Sequence, residues 1–341
     1  MKSSLILISF IATQSLAHPS MNRILAEIQA RDDVLLGTTS TTLIGDLAML
    51  EDTSLTTSGV AIKSVLEGSS ATADSSTYGA PGSLGSDACK KDTCCVWRYV
   101  VDEMVKSFQN SNGCTDLARG AIRQGFHDAA TWDKNSAYGG ADGSLLLSDE
   151  MTRGDNRGLE DIAAQTKSWY NKYKQYGTSM ADMIQVGALT AIVSCPGGPR
   201  IRNFIGRKDN SKAGPTGKLP QFYQDAKTLI DLFAAKTFTA SDLIALVGAH
   251  STAKQKFVDP ARSGASQDST PNTWDTKYYS ETLTSNNKTI LVFPSDRNLA
   301  TYSSTKAQWN TFAGSGGQQA WRPVSVTSST FRSKSDTRYP R

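Results

Sequence analysis

Two histidines, each at the end of a predicted helix, constrain this 341-residue chain more than any other feature. His127 closes a predicted helix of residues 116–127, and His250 closes another of residues 240–250. Arg123 lies four residues before His127, so the two side chains share one helix face. The third histidine of the chain, His18, falls in its N-terminal segment.

Helical periodicity dominates the chain after Cys89, and strand-like alternation is scarce. Thr239 and Asp242 supply capping residues just ahead of an apolar run. We therefore expect a mainly α-helical fold with few or no strands and long loops. The predicted helices are 95–108, 116–127, 158–173, 180–194, 221–233, 240–250 and 278–284, with a short amphipathic one at 21–28.

The N-terminal residues have the pattern of a secretory signal over residues 1–17. Lys2 precedes an apolar run, and Ser15-Leu16-Ala17 forms a small-residue cleavage site. The run is too short to span a bilayer, and no later stretch is long and apolar enough. We expect a secreted, extracellular protein that does not enter a membrane.

Composition divides the rest of the chain at about residue 85. Residues 18–85 are rich in Ser, Thr, Ala and Gly with a net charge of −5, which is typical of a pro-segment or flexible arm. Residues 86–341 have a net charge of +8 and suffice for one large domain. The basic residues are scattered without aromatic partners, so we expect no nucleic-acid partner.

Five cysteines, Cys89, Cys94, Cys95, Cys114 and Cys195, fit an oxidising compartment. Their spacing does not match a zinc site. Because the count is odd, one thiol is left free or pairs with another molecule.

Arg123 and His127 have the chemistry that peroxide cleavage needs. A neutral imidazole takes a proton from one oxygen and returns it to the other, while a fixed guanidinium stabilises the developing charge. Phe126 would shield a haem face, and Asn156, positioned by Glu150, would orient His127. Taken alone, an Arg/His pair at this spacing is more often structural.

His250 can ligate a haem iron, so that one haem is held between the two histidines. Asp296 could accept a hydrogen bond from His250 Nδ1, although an ordinary loop carboxylate fits the spacing equally well. Two oxygen-rich clusters suit Ca²⁺ but also resemble ordinary turns. The first runs from Asp128 through 139–144, and the second includes Ser251 and 268–275.

The order of these motifs resembles that of the secreted fungal class II peroxidases, in the plant-type haem peroxidase superfamily, over about residues 89–300. The matching elements are Cys94-Cys95-Val96-Trp97, Arg123 with Phe126-His127-Asp128, Gly139 to Ser144, Glu150 with Asn156, Ser194-Cys195-Pro196, Phe204 to Arg207, Gly248 to Ser251 and Asp268-Ser269-Thr270-Pro271.

The resemblance implies a haem b between two helical halves, with Arg123, His127 and Asn156 catalytic, His250 as iron ligand and Asp296 behind it. It also implies two Ca²⁺ ions. The ligands of the first would be Asp128, Gly140, Asp142 and Ser144, and those of the second Ser251, Asp268, Thr270, Thr273 and Asp275.

The same resemblance implies the disulfides Cys89–Cys95 and Cys114–Cys195. The usual partner of Cys94 is a C-terminal cysteine that this chain lacks, so Cys94 is the expected odd thiol. The tail from about residue 300 is Ser/Thr-rich and is expected to pack differently from that of the family.

Three departures from the family limit the expected donors. Manganese-oxidising members have acidic residues where this chain has Asp116, Gly120 and Lys256, so we expect no efficient manganese site. Lignin-type members have a redox tryptophan where this chain has Ala245. Gln267 replaces an aromatic residue beside the iron ligand. The tryptophans that could substitute, but that fit core or ordinary surface positions better, are Trp132, Trp274, Trp309 and Trp321.

The first hypothesis is a monomeric secreted haem peroxidase that reduces H₂O₂ and oxidises small phenolic or aromatic donors, with a role in lignin or phenolic breakdown or in oxidative stress. The alternative is a catalytically weak, Ca²⁺-stabilised interaction protein on the same scaffold. A metal hydrolase is disfavoured because two histidines on different helices supply too few ligands. The sequon Asn287-Lys288-Thr289 predicts a glycosylated loop.

Overall fold

The computed structural model describes residues 50–55, 57–66, 76–284 and 290–322. The predicted signal at 1–17, the predicted helix at 21–28 and the sequon at 287–289 lie outside these residues. None of the helices in the described ranges is long and apolar enough to cross a membrane.

The expected mainly α-helical fold is confirmed. The described ranges contain one hairpin, in which β1 (Gln109–Asn110) pairs antiparallel with β2 (Gly113–Cys114). The α-helices are α1 Thr57–Leu66, α2 Asp87–Lys90, α3 Cys95–Phe108, α4 Asp116–Ala129, α5 Ser144–Leu147, α6 Glu160–Tyr173, α7 Met180–Ser194, α8 Ala226–Ala234, α9 Ala240–Val247, α10 Lys277–Thr284, α11 Pro294–Thr301 and α12 Lys306–Ala313. Residues 317–322 are also helical.

The first half of the fold packs α4 against α7. Thr115 begins α4 by accepting a hydrogen bond from the Ala118 amide, which explains why the predicted start was correct. At Gly125 a side chain has no room, because a Cβ would lie 2.5 Å from Ala188 Cβ. This close approach fixes the position of α4, whose last turn presents His127.

Two predicted helix boundaries were wrong by three residues or more, and the other boundaries of the predicted helices differ by two residues at most. The helix predicted from residue 221 begins at Ala226, because Asp225 Oδ1 accepts from the Thr228 amide and caps it there. The helix predicted to end at residue 250 changes after Val247 into a 3₁₀ helix, Gly248–Thr252. The backbone at Gly248 lies against Tyr279 and Trp321, and a Cβ there would be 2.4 Å from Tyr279 Oη.

The second half is built around aromatic side chains from α10, α12 and residues 317–322. Trp321 is fully buried and its indole nitrogen donates to Ala245 O at 2.8 Å. The tail therefore packs into the core as far as residue 322. All four tryptophans considered as surface redox sites are buried, with exposures of 5% or less.

Chain preceding residue 86 contacts this domain. Tyr99 Oη donates to Gly82 O at 2.8 Å, and Arg200 donates to Ser76 O at 2.5 Å. Residues 76–85 therefore contribute to the same folded unit as the helices that follow.

Both ends of α4 are bound by residues of the second half. At its start the Cys114 amide donates to Asn272 O at 3.1 Å. At its end the buried ammonium of Lys236 donates to Ala130 O and Trp132 O at 2.7 and 2.8 Å. A cation at this end of a helix satisfies carbonyls that have no partner within the helix.

Replacing Lys236 by Met keeps the apolar stem but leaves these two carbonyls without their donor. We expect the free energy of unfolding in urea to fall by about 2–4 kcal/mol. The matched control is Lys227→Met, because Lys227 is exposed and pairs only with Asp231 on the surface. We expect the control to change stability by less than about 0.5 kcal/mol.

The contribution of Lys236 to stability should also depend on pH. Burial lowers the pKa of Lys236 to about 8, whereas an unfolded lysine titrates near ~10.4. Between these values the unfolded chain holds a proton that the folded chain has released, so stability from this group rises with pH. The gap between wild type and Lys236→Met should widen from pH 8 to pH 10, and a constant gap would contradict this assignment.

Candidate active site

His127 is held in one tautomer by Asn156. Its Nδ1 lies 2.8 Å from Asn156 Oδ1, and Asn156 Nδ2 donates to the backbone oxygen of Glu150 at 2.7 Å. Because a carbonyl only accepts, the amide nitrogen must face Glu150 and the amide oxygen must face His127. The proton of His127 is therefore on Nδ1, and Nε2 carries a free lone pair.

Burial keeps this imidazole neutral. Burial, together with the charge of Arg123, lowers the pKa of His127 to about 3, against the opposing effect of the Asn156 hydrogen bond. Phe126 packs edge-on against His127 and stacks on Phe233 of α8, so this ring contact joins α4 to α8.

Arg123 is bound by the same segment that binds His127. Its two terminal nitrogens donate to Arg157 O at 2.9 Å and to Asp155 O at 2.8 Å, on either side of Asn156. The 3₁₀ helix Gly154–Asn156 thus fixes both members of the predicted pair. The sequence predicts the link between Asn156 and His127 but not this link to Arg123.

His250 lies in the 3₁₀ helix after α9 and bonds to α11. Its Nδ1 is 3.0 Å from Asp296 Oδ2, and the other carboxylate oxygen of the buried Asp296 accepts from Ser295 at 3.2 Å. The ionised carboxylate only accepts, so Nδ1 carries the proton. Within the described ranges, no hydrogen bond engages Nε2 of His250 or of His127.

Two aromatic rings pack edge-on against His250, and sequence analysis missed both. Tyr278 and Phe293 each have their ring centroid 5.7 Å from that of His250. Tyr278 Oη also lies 3.5 Å from His250 Nδ1. Gln267, which stands where the family has an aromatic residue, is buried, and its Oε1 has no hydrogen-bond partner among the described residues. Phe293 was the easier to find, because it lies three residues before Asp296.

The first oxygen-rich cluster brings Asp128, Asp142 and Ser144 together at the end of α4. Asp128 accepts from the amides of Gly143 and Leu145, and Asp142 accepts from the Ser144 amide. The buried Ser144 hydroxyl lies close to the Asp142 carboxylate, and among the described residues it has no hydrogen bond of normal geometry. Burial, with the nearby Asp142 charge, raises the pKa of Asp128 well above its usual value.

Asn210, which sequence analysis missed, donates to Asp142 Oδ2 at 2.9 Å. Gly140, expected to contribute through its carbonyl, accepts from the Asp142 amide at 2.8 Å. The cluster is therefore rich in oxygen atoms and holds two buried carboxylates whose charges repel.

The second cluster forms behind the 3₁₀ helix of His250. Ser251 Oγ lies 3.4 Å from both Thr273 O and the Asp275 amide, and Thr270 Oγ1 donates to Asp275 at 2.8 Å. Asp268 Oδ2 is buried and has no hydrogen-bond partner among the residues that the structure describes. Burial, with the charges of Asp275 and Glu281, raises the pKa of Asp268 to about 8.

Both clusters mix carboxylate, hydroxyl and carbonyl oxygens. Among the residues that the structure describes, no group of three or more His, Cys, Asp or Glu side chains is arranged to hold a metal. Any cation at either cluster would therefore depend on hydroxyl and backbone oxygens, which is the donor set that Ca²⁺ accepts.

The cysteines form the disulfides Cys89–Cys95 and Cys114–Cys195, the pairs that the resemblance implies, and Cys94 is a free, exposed thiol. The second disulfide joins the start of α4 to the residue after α7. It therefore fastens the helix that carries Arg123 and His127 to the helix it packs against.

The residues at the manganese and tryptophan positions have other partners. Asp116 bonds to Arg119 at 2.6 Å and lies 3.6 Å from Lys254 Nζ. Its carboxylate is thus already paired with cations. Ala245 is buried beneath Trp321.

The profile of the peroxidase family matches residues 100–315, which contain both histidine sites, both oxygen-rich clusters and the second disulfide. This chain belongs to the peroxidase family. The match extends from within α3 to just beyond α12, so it covers both histidine sites and both oxygen-rich clusters.

Fungal members of the peroxidase family are among its relatives. Ligninase LG5 of Phanerodontia chrysosporium is 31% identical over 198 residues, 56% of this chain and 53% of the relative. A peroxidase of Coprinopsis cinerea is 31% identical over 218 residues, 60% and 59% of the two chains. Versatile peroxidase VPS1 of Pleurotus eryngii is 28% identical over 200 residues, 56% and 53%. The chain thus spans little more than half the length of these relatives.

Replacing Asn156 by Leu should destabilise this peroxidase domain, because it leaves His127 Nδ1–H buried without an acceptor and removes one of the two hydrogen bonds that Glu150 O accepts. We expect urea unfolding to show a loss of about 2–4 kcal/mol. The control is Thr152→Ala, which removes an exposed hydroxyl bonded only to Asp149 O. Equal effects of the two substitutions would contradict the assigned role of the Asn156 amide.

Proposed function

We propose that this protein is a secreted haem peroxidase that reduces H₂O₂ and oxidises small phenolic or aromatic donors in one-electron steps. One observation carries the proposal. Two histidines from different helices each have Nδ1 engaged, by Asn156 and Asp296, and Nε2 available. One imidazole is thereby prepared as a base and the other as a metal ligand.

The donor set fits haem b. When bound, haem supplies an iron atom that takes up the two oxidising equivalents of H₂O₂. His250 would ligate it through Nε2, and the hydrogen bond from Nδ1 to the buried Asp296 would give the ligand imidazolate character. Phe126 is the residue we assign to the haem face beside His127.

His127 and Arg123 would carry out the proton transfer and charge stabilisation. His127 Nε2 accepts a proton from one peroxide oxygen and delivers it to the departing oxygen, which leaves as water. The Arg123 guanidinium stabilises the negative charge on that oxygen as the bond breaks. Each of two phenolic donors then gives up one electron and one proton, which completes the formation of the second water molecule.

We further propose that the two oxygen-rich clusters bind Ca²⁺. The buried oxygens of Ser144 and Asp268, which have no hydrogen-bond partner among the described residues, support this. The raised pKa values of Asp128 and Asp268 also support it, because a divalent cation would offset the burial of each carboxylate and its repulsion by neighbouring carboxylates. The remaining ligands would be Gly140, Asp142, Ser251, Thr270, Thr273 and Asp275. Each ion would stiffen the loop that follows a functional histidine.

The names ligninase and versatile peroxidase among the relatives support an oxidative role outside the cell, in lignin or phenolic breakdown or in response to oxidative stress. The disulfides and the signal pattern at residues 1–17 support secretion. We propose that the protein acts as a monomer, without nucleic-acid or membrane partners.

The absorption spectrum of the haem-loaded protein tests the proposal. One equivalent of H₂O₂ should lower and shift the haem band, and a phenol should restore it. A band that ignores H₂O₂ would refute the assignment of His127 and Arg123. Failure of the folded protein to take up haem would refute the enzyme and favour a non-catalytic, Ca²⁺-stabilised interaction protein.

Replacing His127 by Ala removes the proposed base while leaving the iron ligand. We expect the second-order rate of reaction with H₂O₂, measured by stopped-flow absorbance, to fall by about 10²–10⁴-fold. The control is His18→Ala, which removes the one histidine that the proposal leaves without a role. A near wild-type rate in the His127 variant would show that another group moves the proton.

Chelation by EGTA should lower the melting temperature by about 5–10 °C for each Ca²⁺ site that is emptied, and added Ca²⁺ should restore it. Asp142→Asn should reduce this response. The control Asp149→Asn should not, because Asp149 is exposed and belongs to neither cluster. A melting temperature insensitive to EGTA and Ca²⁺ would contradict both sites.

A further inference from the structure

A chain of aromatic rings leads from His250 to the surface. Phe293 lies 5.7 Å from His250, Phe222 lies 6.0 Å from Phe293, and Tyr223 lies 5.3 Å from Phe222, all between ring centroids. Each step is within the range of aromatic contacts. The last ring, Tyr223, is 64% exposed, more than any other large hydrophobic side chain of the described ranges.

The other aromatic path from His250 ends inside the protein. Tyr278 contacts His250 and continues to Tyr279 and Trp309, and Tyr279 leads on to Trp321 and then Trp274. All five of these side chains are 3% exposed or less. A phenolic proton lost from Tyr278 would have to move to Asp296, which already accepts from His250.

The loop that carries Tyr223 is bound to the helix of Asp296. The Ser295 amide donates to Phe222 O at 2.9 Å, and Asn298 Nδ2 donates to Gln224 O at 3.0 Å. These bonds keep Phe222 against Phe293 and fix the start of the surface path. Beside them a surface cavity of about 450 Å³ opens, which Asn298 and Tyr302 help to line.

We propose that Tyr223 is a surface oxidation site for phenolic donors attached to polymers too large to reach the haem. This inference rests on the proposed peroxidase function. Tyr223 suits the role because a phenol is oxidised far more easily than a phenylalanine ring, and its hydroxyl can release a proton directly to water. The electron moves through the packed rings of Phe222 and Phe293, which are not themselves oxidised.

The reaction balances with H₂O₂ as the oxidant. Tyr223 would give one electron toward the haem site, from which H₂O₂ has withdrawn two electrons, and its phenolic proton to water, and would become a neutral radical. A phenol of the polymer then gives Tyr223 one electron and one proton, which restores the tyrosine and leaves a phenoxyl radical. Two such rounds consume one H₂O₂ and yield two water molecules and two phenoxyl radicals.

Radical location is the first test. The haem-loaded protein is mixed with H₂O₂ and a nitroso spin trap in the absence of donor, and the adducts are mapped by peptide mass spectrometry. We expect an adduct on Tyr223 that Tyr223→Phe abolishes. Adducts confined to Tyr278 or to other residues, with none at Tyr223, would overturn the inference.

Donor size is the second test, with one phenol supplied either free or coupled to a high-molecular-weight dextran. Tyr223→Phe retains the ring and its packing, so we expect the ratio of coupled to free turnover to fall about tenfold or more. Tyr223→Trp, which restores an oxidisable ring, should recover the ratio. Tyr176→Phe, at another exposed tyrosine, should leave it unchanged.

The outcomes distinguish this inference from the proposed function. If the wild type bleaches its haem band with H₂O₂ and turns over the free phenol, but Tyr223→Phe leaves the coupled-to-free ratio unchanged, the surface site is wrong and the peroxidase stands. If the wild type oxidises neither form and its haem band ignores H₂O₂, the peroxidase function itself is refuted.

Discussion

The candidate active site depends on the two hydrogen bonds of the Asn156 side-chain amide. Its nitrogen must face the Glu150 carbonyl, so its oxygen must face His127 and Nε2 of that ring is left as a base. The carbonyls on either side of the same residue bind Arg123. One short 3₁₀ helix therefore sets the tautomer of the base and the position of the cation together, and a shift of this segment would displace both.

The opposite side of the site is arranged by burial rather than by a single segment. Asp296 is buried, and its carboxylate accepts hydrogen bonds from His250 and Ser295, so solvent screens its interaction with the imidazole only weakly. Asp128 and Asp268 are also buried, and neither forms an ion pair within the described residues. Their raised pKa values record a cost that a bound cation would offset.

Sequence alone predicted what depends on short separations or on family motifs. The i,i+4 spacing placed Arg123 and His127 on one face, and apolar periodicity located α3 and α7 correctly. The sequence did not predict the contact of Tyr278 with His250, the hydrogen bonds of Arg123 to residues 155 and 157, or the position of Lys236 at the end of α4. Each of these contacts joins residues that only the folded chain brings together. The predicted start of α8 was wrong because it relied on the apolar residues before Asp225, whereas Asp225 caps the helix and makes it begin at Ala226.

The long-range bonds at the two ends of α4 have a consequence for the order of assembly during synthesis. The disulfide partner of Cys114 comes 81 residues later, the lysine that binds Ala130 comes 106 residues later, and the Cys114 hydrogen bond to Asn272 spans 158 residues. Helix α4 can form early as an isolated element, but the bonds at its two ends cannot form until most of the chain has left the ribosome. Incorporation of the proposed haem should therefore be a late, largely post-translational event that a truncated nascent chain does not support.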